Sequence, residues 1–361
     1  MMIRRLHLHD FRCFSEVAFQ PHPGFNLITG ENGSGKTTLL EALHLLAHGR
    51  SFRGRVRDGL IRSGQADLQV FTEWTLPDGG LRRIGLRHAG SRWEARMDGA
   101  TVTQLSALCQ AVAVVSFEPG SHALVDGSSE VRRRYLDWGM FHVEHAFMPL
   151  WRRYARALKQ RNVLLRSGGA ATQLDAWEVE LSNSGEALTH LRETHVTQLA
   201  NALGPLVQRL LPAANGLALD LAPGWRRKEL ALRDALLLGR DRDQGLGYTS
   251  VGPHRADLRI QLSGLPGREC LSRGQAKQLA LALLLAQAGQ IAQERGTWPL
   301  LQLDDLGSEL DSRHQACLAE VLQETGAQIL VTGTSPPPGL LGGQGNIAMF
   351  HVEHGVLRQQ A

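Results

Sequence analysis

Alternation marks the amino terminus: from Met2 to His9 apolar and polar residues take turns, as on a strand with one buried face. The stretch from Phe25 to Leu46 has a different order, with an apolar strand, a glycine-rich turn and then helical spacing. A glycine- and arginine-rich loop, Gly49 to Arg57, follows. Three strands are expected over 68–76, 81–88 and 92–97, with Pro77-Asp78-Gly79-Gly80 and Gly90 as turns. A fourth, over 111–117, ends at Glu118-Pro119-Gly120. The period then changes. From Ser129 to Val207 much of the chain has helical spacing, and Gly168-Gly169 separates two long helices. A mixed stretch runs to about Leu262, with a helix expected over 227–238. Alternation of strand and helix then returns: helix 273–294, strand 300–303, helix 311–324, strand 328–332. Ser335 to Gly339 reads as a loop, and Gly355 as the turn of a closing hairpin. The pattern divides the chain into a nucleotide-binding lobe (1–125 and 246–361) and a helical insertion (126–245).

Within the second stretch, Gly30-Glu31-Asn32-Gly33-Ser34-Gly35-Lys36-Thr37 fits the phosphate-loop pattern G-x-x-x-x-G-K-[ST] at every fixed position, and Thr38 follows it. The residue types suit the chemistry. Glycines let backbone N–H groups turn inward around phosphate oxygens, and the helix behind them adds its positive N-terminal end. Lys36 would reach the β- and γ-phosphates, and Thr37 would offer its hydroxyl to Mg²⁺. A strand before the pattern and a helix after it distinguish a nucleoside triphosphate site from a chance glycine-rich turn.

Two late segments supply what such a loop needs. Pro299 to Asp305 is an apolar strand ending in paired carboxylates. The first acid in such a position holds Mg²⁺, so Asp304 is the expected metal-side acid, and Asp305 is the candidate base for an attacking water. Gln302 interrupts the continuous apolar run expected of a strand buried on both faces. The other segment, Leu271-Ser272-Arg273-Gly274-Gln275, opens the long apolar helix. Ser272 suits an N-cap, and the same helix end, with Gly274 and Gln275, suits an anion. Lys36 already occupies one face of the phosphates, so this second end is expected to close over a nucleotide held by another subunit.

Composition adds class and partners. With 361 residues, 43% of them hydrophobic and 20% charged, the chain is long enough for a sizeable core. Lysine occurs only at positions 36, 159, 228 and 277, and the rest of the 39 basic residues are arginines. Against that bias, a lysine at 36 is informative, because the site calls for a compact point charge. From Val131 to Arg166 nine arginines and lysines face two acids, Asp137 and Glu144. Such a run is either a solvated helix face or a nucleic-acid contact. The four cysteines show no paired spacing, which favours a reducing compartment. The most apolar run, Leu279 to Ala288, is too short to span a bilayer, so a cytoplasmic protein is expected. Met-Phe-His-Val-Glu-His occurs twice, at 140–145 and 349–354, and is read as coincidence rather than as a metal site.

The order of motifs resembles the ABC-type ATPases of the SMC group, and most closely the RecF family of bacterial DNA replication and repair. The likeness runs the full length, through Asp10-Phe11-Arg12, Gly49 to Arg53, Arg132 to Trp138, Leu158 to Asn162, Gly252 to Leu258 and the Leu271 to Gln275 signature. It implies an α/β ABC-type P-loop ATPase head with mixed sheets plus an inserted α-helical lobe. It implies ATP and Mg²⁺ as cofactors, with ATP bound between Lys36, Thr37 and Asp304 of one subunit and Ser272 and Gly274 of another. Ser308 and Asp311 would belong to a loop crossing that interface. It also implies a homodimer driven by ATP, slow hydrolysis, duplex DNA next to single-stranded gaps, and RecR- and RecO-type partners in loading recombinase. Arg132, Arg133, Arg134, Arg50 and Arg53 are the expected DNA contacts. Cys13 departs from the asparagine often found after the arginine equivalent to Arg12. The alternative is an ABC transport ATPase acting on a membrane partner, to which the basic helical insertion is foreign.

Overall fold

The computed structural model describes residues 1–53, 59–90, 92–168, 170–212, 216–261, 271–341 and 347–360. The arginine-rich loop beyond Arg53, Gly169 and Leu262 lie outside the described residues. The chain divides into two units, Met1–Ser121 with Arg273–Ala361, and His122–Ser272.

In the first unit, the alternating strands make one sheet. It contains β1 (Met2–Phe11), β2 (Phe14–Phe19), β4 (Leu68–Thr75), β5 (Leu81–Ala89), β6 (Arg92–Met97) and β7 (Ala100–Val102), paired antiparallel in the order β2-β1-β4-β5-β6-β7. The register of β1 on β4 shifts between Ile3 and Arg5, which is why Arg4 and Arg5 are both exposed before Leu6 turns inward. The second sheet has the order β14-β13-β3-β12-β11-β8, from β3 (Phe25–Thr29), β8 (Val114–Phe117), β11 (Leu300–Leu303), β12 (Ile329–Gly333), β13 (Ile347–Glu353) and β14 (Val356–Gln360). Its strands are parallel except for β14. The helix Lys36–His48 is buried along almost its whole length, and its Leu39, Leu40, Leu43 and Leu46 share a core with residues of both sheets. Burying each such leucine contributes roughly 1.5–3 kcal/mol.

Gln302 is fully buried in β11, but it is not orphaned on its acceptor side. Ser116 Oγ of β8 donates to Gln302 Oε1 at 2.9 Å and lies 3.0 Å from His44 Nδ1. A hydroxyl on the neighbouring strand, itself bonded to the helix, satisfies the amide oxygen, while the buried Gln302 Nε2 has no hydrogen-bond partner among the described residues. Burial, with the neighbouring His48 and Arg50, holds His44 well below its ordinary range.

The second unit is built on helices Ser129–Val143, Phe147–Ser167 and Ala171–Leu210. Gly168 ends the middle one in a left-handed conformation, φ 66°. The expected helix over 227–238 forms only at Leu232–Leu238. The unit extends past the expected boundary at 245 because β10 (Asp257–Gln261) pairs with β9 (Ala218–Ala222). Arg161 is buried between helices, donating to Glu178 Oε1 at 3.0 Å and to Asp243 Oδ2 and Thr249 Oγ1 at 2.7 and 2.9 Å.

Removing that cation should be costly. Arg161→Leu leaves Asp243 buried without its counter-charge, and urea unfolding should show a loss of about 3–5 kcal/mol; a loss near zero would mean that the carboxylates are satisfied without it. Burial also holds His195, whose ring nitrogens have no hydrogen-bond partner, down at about 4 from 6.5. The unfolded chain binds this proton below 6.5 while the folded chain resists it until about 4, so stability falls as pH drops through that window. His195→Leu should flatten the pH dependence of the unfolding midpoint there.

Candidate nucleotide site

The parallel sheet places three strand ends side by side. β12 lies between β3 and β11, so the segments leaving β3 and β11 flank the end of β12. The loop leaving β3 turns on Gly30, Gly33 and Gly35, with φ of 153°, 83° and 115°. At Gly30 and Gly35 there is also no room for a side chain. A Cβ would stand 2.3 Å from Val352 O at Gly30, and 2.8 Å from Cys13 Sγ at Gly35. Lys36 Nζ donates to Gly30 O and Glu31 O, each at 2.7 Å, and closes the loop on itself. Glu31, Asn32 and Gly33 form its exposed rim. Burial lowers the Lys36 pKa, against the opposing charges of Asp305 and Asp304.

Asp304 follows β11, and its Oδ1 accepts from Thr37 Oγ1 at 2.8 Å and from Thr332 Oγ1 at 2.6 Å. Burial raises the Asp304 pKa, and the two hydroxyl bonds and the charge of Arg53 oppose it. Asp305 takes a left-handed conformation (φ 52°, ψ 41°) that costs a non-glycine residue energy. It is held there by its N–H on Thr332 Oγ1 at 2.9 Å and by Ser308 Oγ donating to its Oδ2 at 2.6 Å. A cavity of about 400 Å³ is lined by Lys36, Thr37, Thr38, Asp304, Asp305 and Thr332. A second cavity of about 580 Å³, lined by Arg12, Cys13 and Ile61, shares Gly33, Thr38 and Arg53 with the first. The Thr37 hydroxyl and the Asp304 carboxylate are the hard oxygen donors that Mg²⁺ takes, so the residues fit that ion.

Thr332 and Glu118 are cleft residues that sequence reasoning missed. Both follow or end parallel strands of this sheet, and the signal for them is position at a strand's carboxyl end rather than any motif. Arg12 forms a two-pronged ion pair with the fully buried Glu41, at 2.9 and 2.6 Å. Ser51 bonds to the same carboxylate.

Other expected residues fall elsewhere. Arg53 is not set apart from the nucleotide site: it lines both cavities and stands 3.8 Å from Glu41. Arg132 is corrected outright as a DNA contact. It has no exposed surface, donating to Asp257 Oδ1 at 2.7 Å and to Gly127 O at 2.7 Å. Arg133 turns inward as well, to Ala256 O at 2.7 Å and Ser129 Oγ at 2.9 Å, and burial lowers its pKa. Of the triplet only Arg134 is exposed, paired with Glu130 one turn away. Arg50 is exposed.

Ser272, Arg273 and Gly274 are exposed at the start of helix Arg273–Arg295, and Gln275 is half-buried. Lys277 of that helix forms a 2.8 Å ion pair with Glu309, in the segment that carries Ser308. Asp311 caps helix Ser312–Gln323, accepting from His314 N at 3.0 Å. His142 is buried at the end of its helix and His145 lies beyond it. His351 is in β13 and His354 in the turn after it. Among the described residues no group of three or more His, Cys, Asp or Glu could hold a metal ion, and no helix is long and apolar enough to cross a membrane.

The family model for the RecF/RecN/SMC N-terminal domain matches residues 2–357. The DNA replication and repair protein RecF of Xanthomonas euvesicatoria is 55% identical, covering 100% of this chain and 99% of its own length. That of Stenotrophomonas maltophilia is 56% identical over 98% of each. This chain belongs to the RecF family. Among solved structures, the recombination mediator protein RecF-ATPrS of the RecFOR pathway superposes with a TM-score of 0.86 at 24% identity, covering 99% of this chain and 98% of that one. An Smc head bound to the C-terminal winged-helix domain of ScpA gives 0.60 at 16%, covering 100% and 97%. The fold is that of the ABC-type ATPase heads, with mixed sheets and helices.

The glycines of this RecF-family loop differ in what they tolerate. Gly35→Ala adds a crowded Cβ to a positive φ, whereas a Cβ at Gly33 meets nothing within 4 Å. Thermal unfolding should show a loss of about 1 kcal/mol for Gly33→Ala and at least about twice that for Gly35→Ala. Equal losses would show that crowding by Cys13 and Phe14 is relieved without cost.

Proposed function

We propose that this chain is an ATP-dependent DNA-binding protein of recombinational repair and replication restart, acting in the cytoplasm. The observation that carries this is the single oxygen of Asp304 that accepts from both Thr37 and Thr332, opposite Lys36, in a chain of the RecF family. The family membership disfavours the transport-ATPase reading. On nucleotide binding Lys36 would exchange the carbonyls of Gly30 and Glu31 for phosphate oxygens. Thr37 and Asp304 would hold Mg²⁺, which supplies charge neutralisation at the phosphates. Asp305, fixed by Ser308, would orient or deprotonate the attacking water.

ATP would join two copies head to tail. The exposed Ser272 and Gly274 of one copy, with the dipole of the helix behind them, would meet the phosphates held by Lys36 of the other. Ser308 and Asp311 would lie along the same interface. Hydrolysis, slow and stimulated by DNA, would then reset the dimer. DNA, especially duplex beside a single-stranded gap, and RecR- and RecO-type proteins are the partners, and the product of the cycle is a loaded recombinase.

Lys36→Arg should lower ATP turnover at least about a hundredfold, since a planar guanidinium cannot replace the compact ammonium among phosphate oxygens. A rate unaffected by duplex DNA in the parent protein, together with recovery in membranes, would argue for the transport reading instead. For the dimer, light scattering on Asp305→Asn with ATP should give twice the monomer mass. Adding Ser272→Arg should restore the monomer, and a dimer that persists would defeat the shared site.

A further inference from the structure

The basic run of the second unit has two faces that sequence cannot tell apart. Helix Phe147–Ser167 buries Tyr154, Ala157, Arg161 and Leu165. On the opposite side Arg156, Lys159, Val163 and Arg166 are all exposed. At 100° per residue these four fall within one row, about 15 Å from first to last. The helix carries no acid of its own. The carboxylates of the adjacent helix Ala171–Leu210 are engaged elsewhere: Glu180 with Arg153, Glu178 with Arg161 and Arg240, Asp175 with Arg240, and Glu186 and Glu193 with Arg227. Arg156, Lys159 and Arg166 have no ion-pair partner among the described residues.

The row ends against a rigid loop. A Cβ on Gly247 would lie 3.2 Å from Arg166 Cγ, and Thr249 N donates to Asn162 Oδ1 at 2.8 Å. The loop is tethered from beneath. Thr249 Oγ1 accepts from Arg161, Ser250 N donates to Asp243 at 3.0 Å, and His254 bonds to Tyr154 Oη at 2.6 Å and to Thr249 O at 2.9 Å. Between these tethers Tyr248 stays 41% exposed, with the exposed Arg255 guanidinium 5.2 Å from its ring centroid. His254 and Arg255 belong to the Gly252 to Leu258 motif, and Tyr248 lies just before it; the nucleotide cleft uses none of them.

We propose that Arg156, Lys159 and Arg166 form a track for a DNA backbone, and that Tyr248 with Arg255 receives an unpaired base at its end. The inference rests on the DNA-binding reading above and assigns it a surface. A stretch of about 15 Å along duplex spans roughly four phosphates of one strand, enough for three cations to engage without reading sequence. An aromatic ring beside a guanidinium is a stacking platform for any base, and it distinguishes a single-stranded gap from intact duplex.

The test is anisotropy of the full chain on labelled blunt duplex, single strand and gapped duplex, with ATP and with ADP, at low and high salt. The triple variant Arg156→Gln, Lys159→Gln, Arg166→Gln should bind all three probes at least about tenfold more weakly, with a salt slope lower by about two to three. A control of equal charge change, Arg82→Gln, Arg83→Gln, Arg87→Gln, removes cations already paired with Asp98, Glu73 and Asp67 and should bind like the parent. Tyr248→Ala should lose on the order of tenfold on single-stranded and gapped probes only. Circular dichroism and ATP binding, unchanged in the triple variant, exclude misfolding as the cause. If the parent binds DNA and the triple variant matches it, or the control loses as much, the track is overturned while the functional reading stands. If the parent binds no DNA with either nucleotide, both fall. An equal loss for Tyr248→Ala on blunt duplex overturns the stacking role.

Discussion

The cleft depends on where one oxygen, Asp304 Oδ1, is held. The carboxylate is nearly buried, which alone would cost several kcal/mol and favour its neutral form. Two hydroxyls oppose this, Thr37 from the helix behind the phosphate loop and Thr332 from the end of β12. Hydrogen bonds to a charged group contribute about 1.5–3 kcal/mol each, so neither hydroxyl alone offsets the burial. Both can reach only because β12 lies between β3 and β11. The strand order is therefore what brings both hydroxyls to an acid 267 residues along the chain from Thr37. Thr332 Oγ1 also accepts from Asp305 N, so the conformation of the second acid depends on the same hydroxyl.

The second unit applies the same electrostatics in a helical setting. Arg132 is paired with Asp257, Arg161 with Glu178 and Asp243, and Arg192 with Asp137, each cation nearly or fully buried. Buried ion pairs add little net stability over apolar packing of the same shape. Their effect is geometric, because a guanidinium with several donors accepts few placements of its acceptors. Here the acceptors include Pro253 O, Thr249 Oγ1 and Gly127 O, so loops as well as helices are positioned by buried arginines.

The phosphate loop was legible because its requirements are local: glycine where φ is positive or a Cβ would collide, then lysine and threonine at fixed spacing. Asp304 was legible because an apolar strand ended in acids. Thr332 was not, since its role arises only when β12 is placed beside β11 by the sheet. Arg132 and Arg134 look alike in sequence, yet one faces Asp257, 125 residues away, and the other faces solvent. Charge counting cannot supply that phase. Gln302 read as a departure because its partner Ser116 lies on a strand 186 residues earlier. The arginine-lysine run was thus read correctly as helical and basic, but its direction was set by partners distant in sequence.

That direction decides what the basic residues are available to do. On one helix, Arg161 turns its donors inside, to Glu178, Asp243, Thr249 and Leu236 O, while Arg156, Lys159 and Arg166 are exposed to solvent. The nucleotide cleft belongs to the first unit and the proposed DNA track to the second, and the chain crosses between the units twice. One crossing falls between Ser121 and His122, three residues past Glu118 of the cleft. The other falls between Ser272 and Arg273, inside the segment proposed to meet a second copy's phosphates. Ser272 is the last residue of the helical unit, one peptide bond from the helix whose N-terminus would, under the proposed function, receive those phosphates. The joint between the units and the residues proposed to meet a second copy's phosphates are therefore the same few positions of the chain.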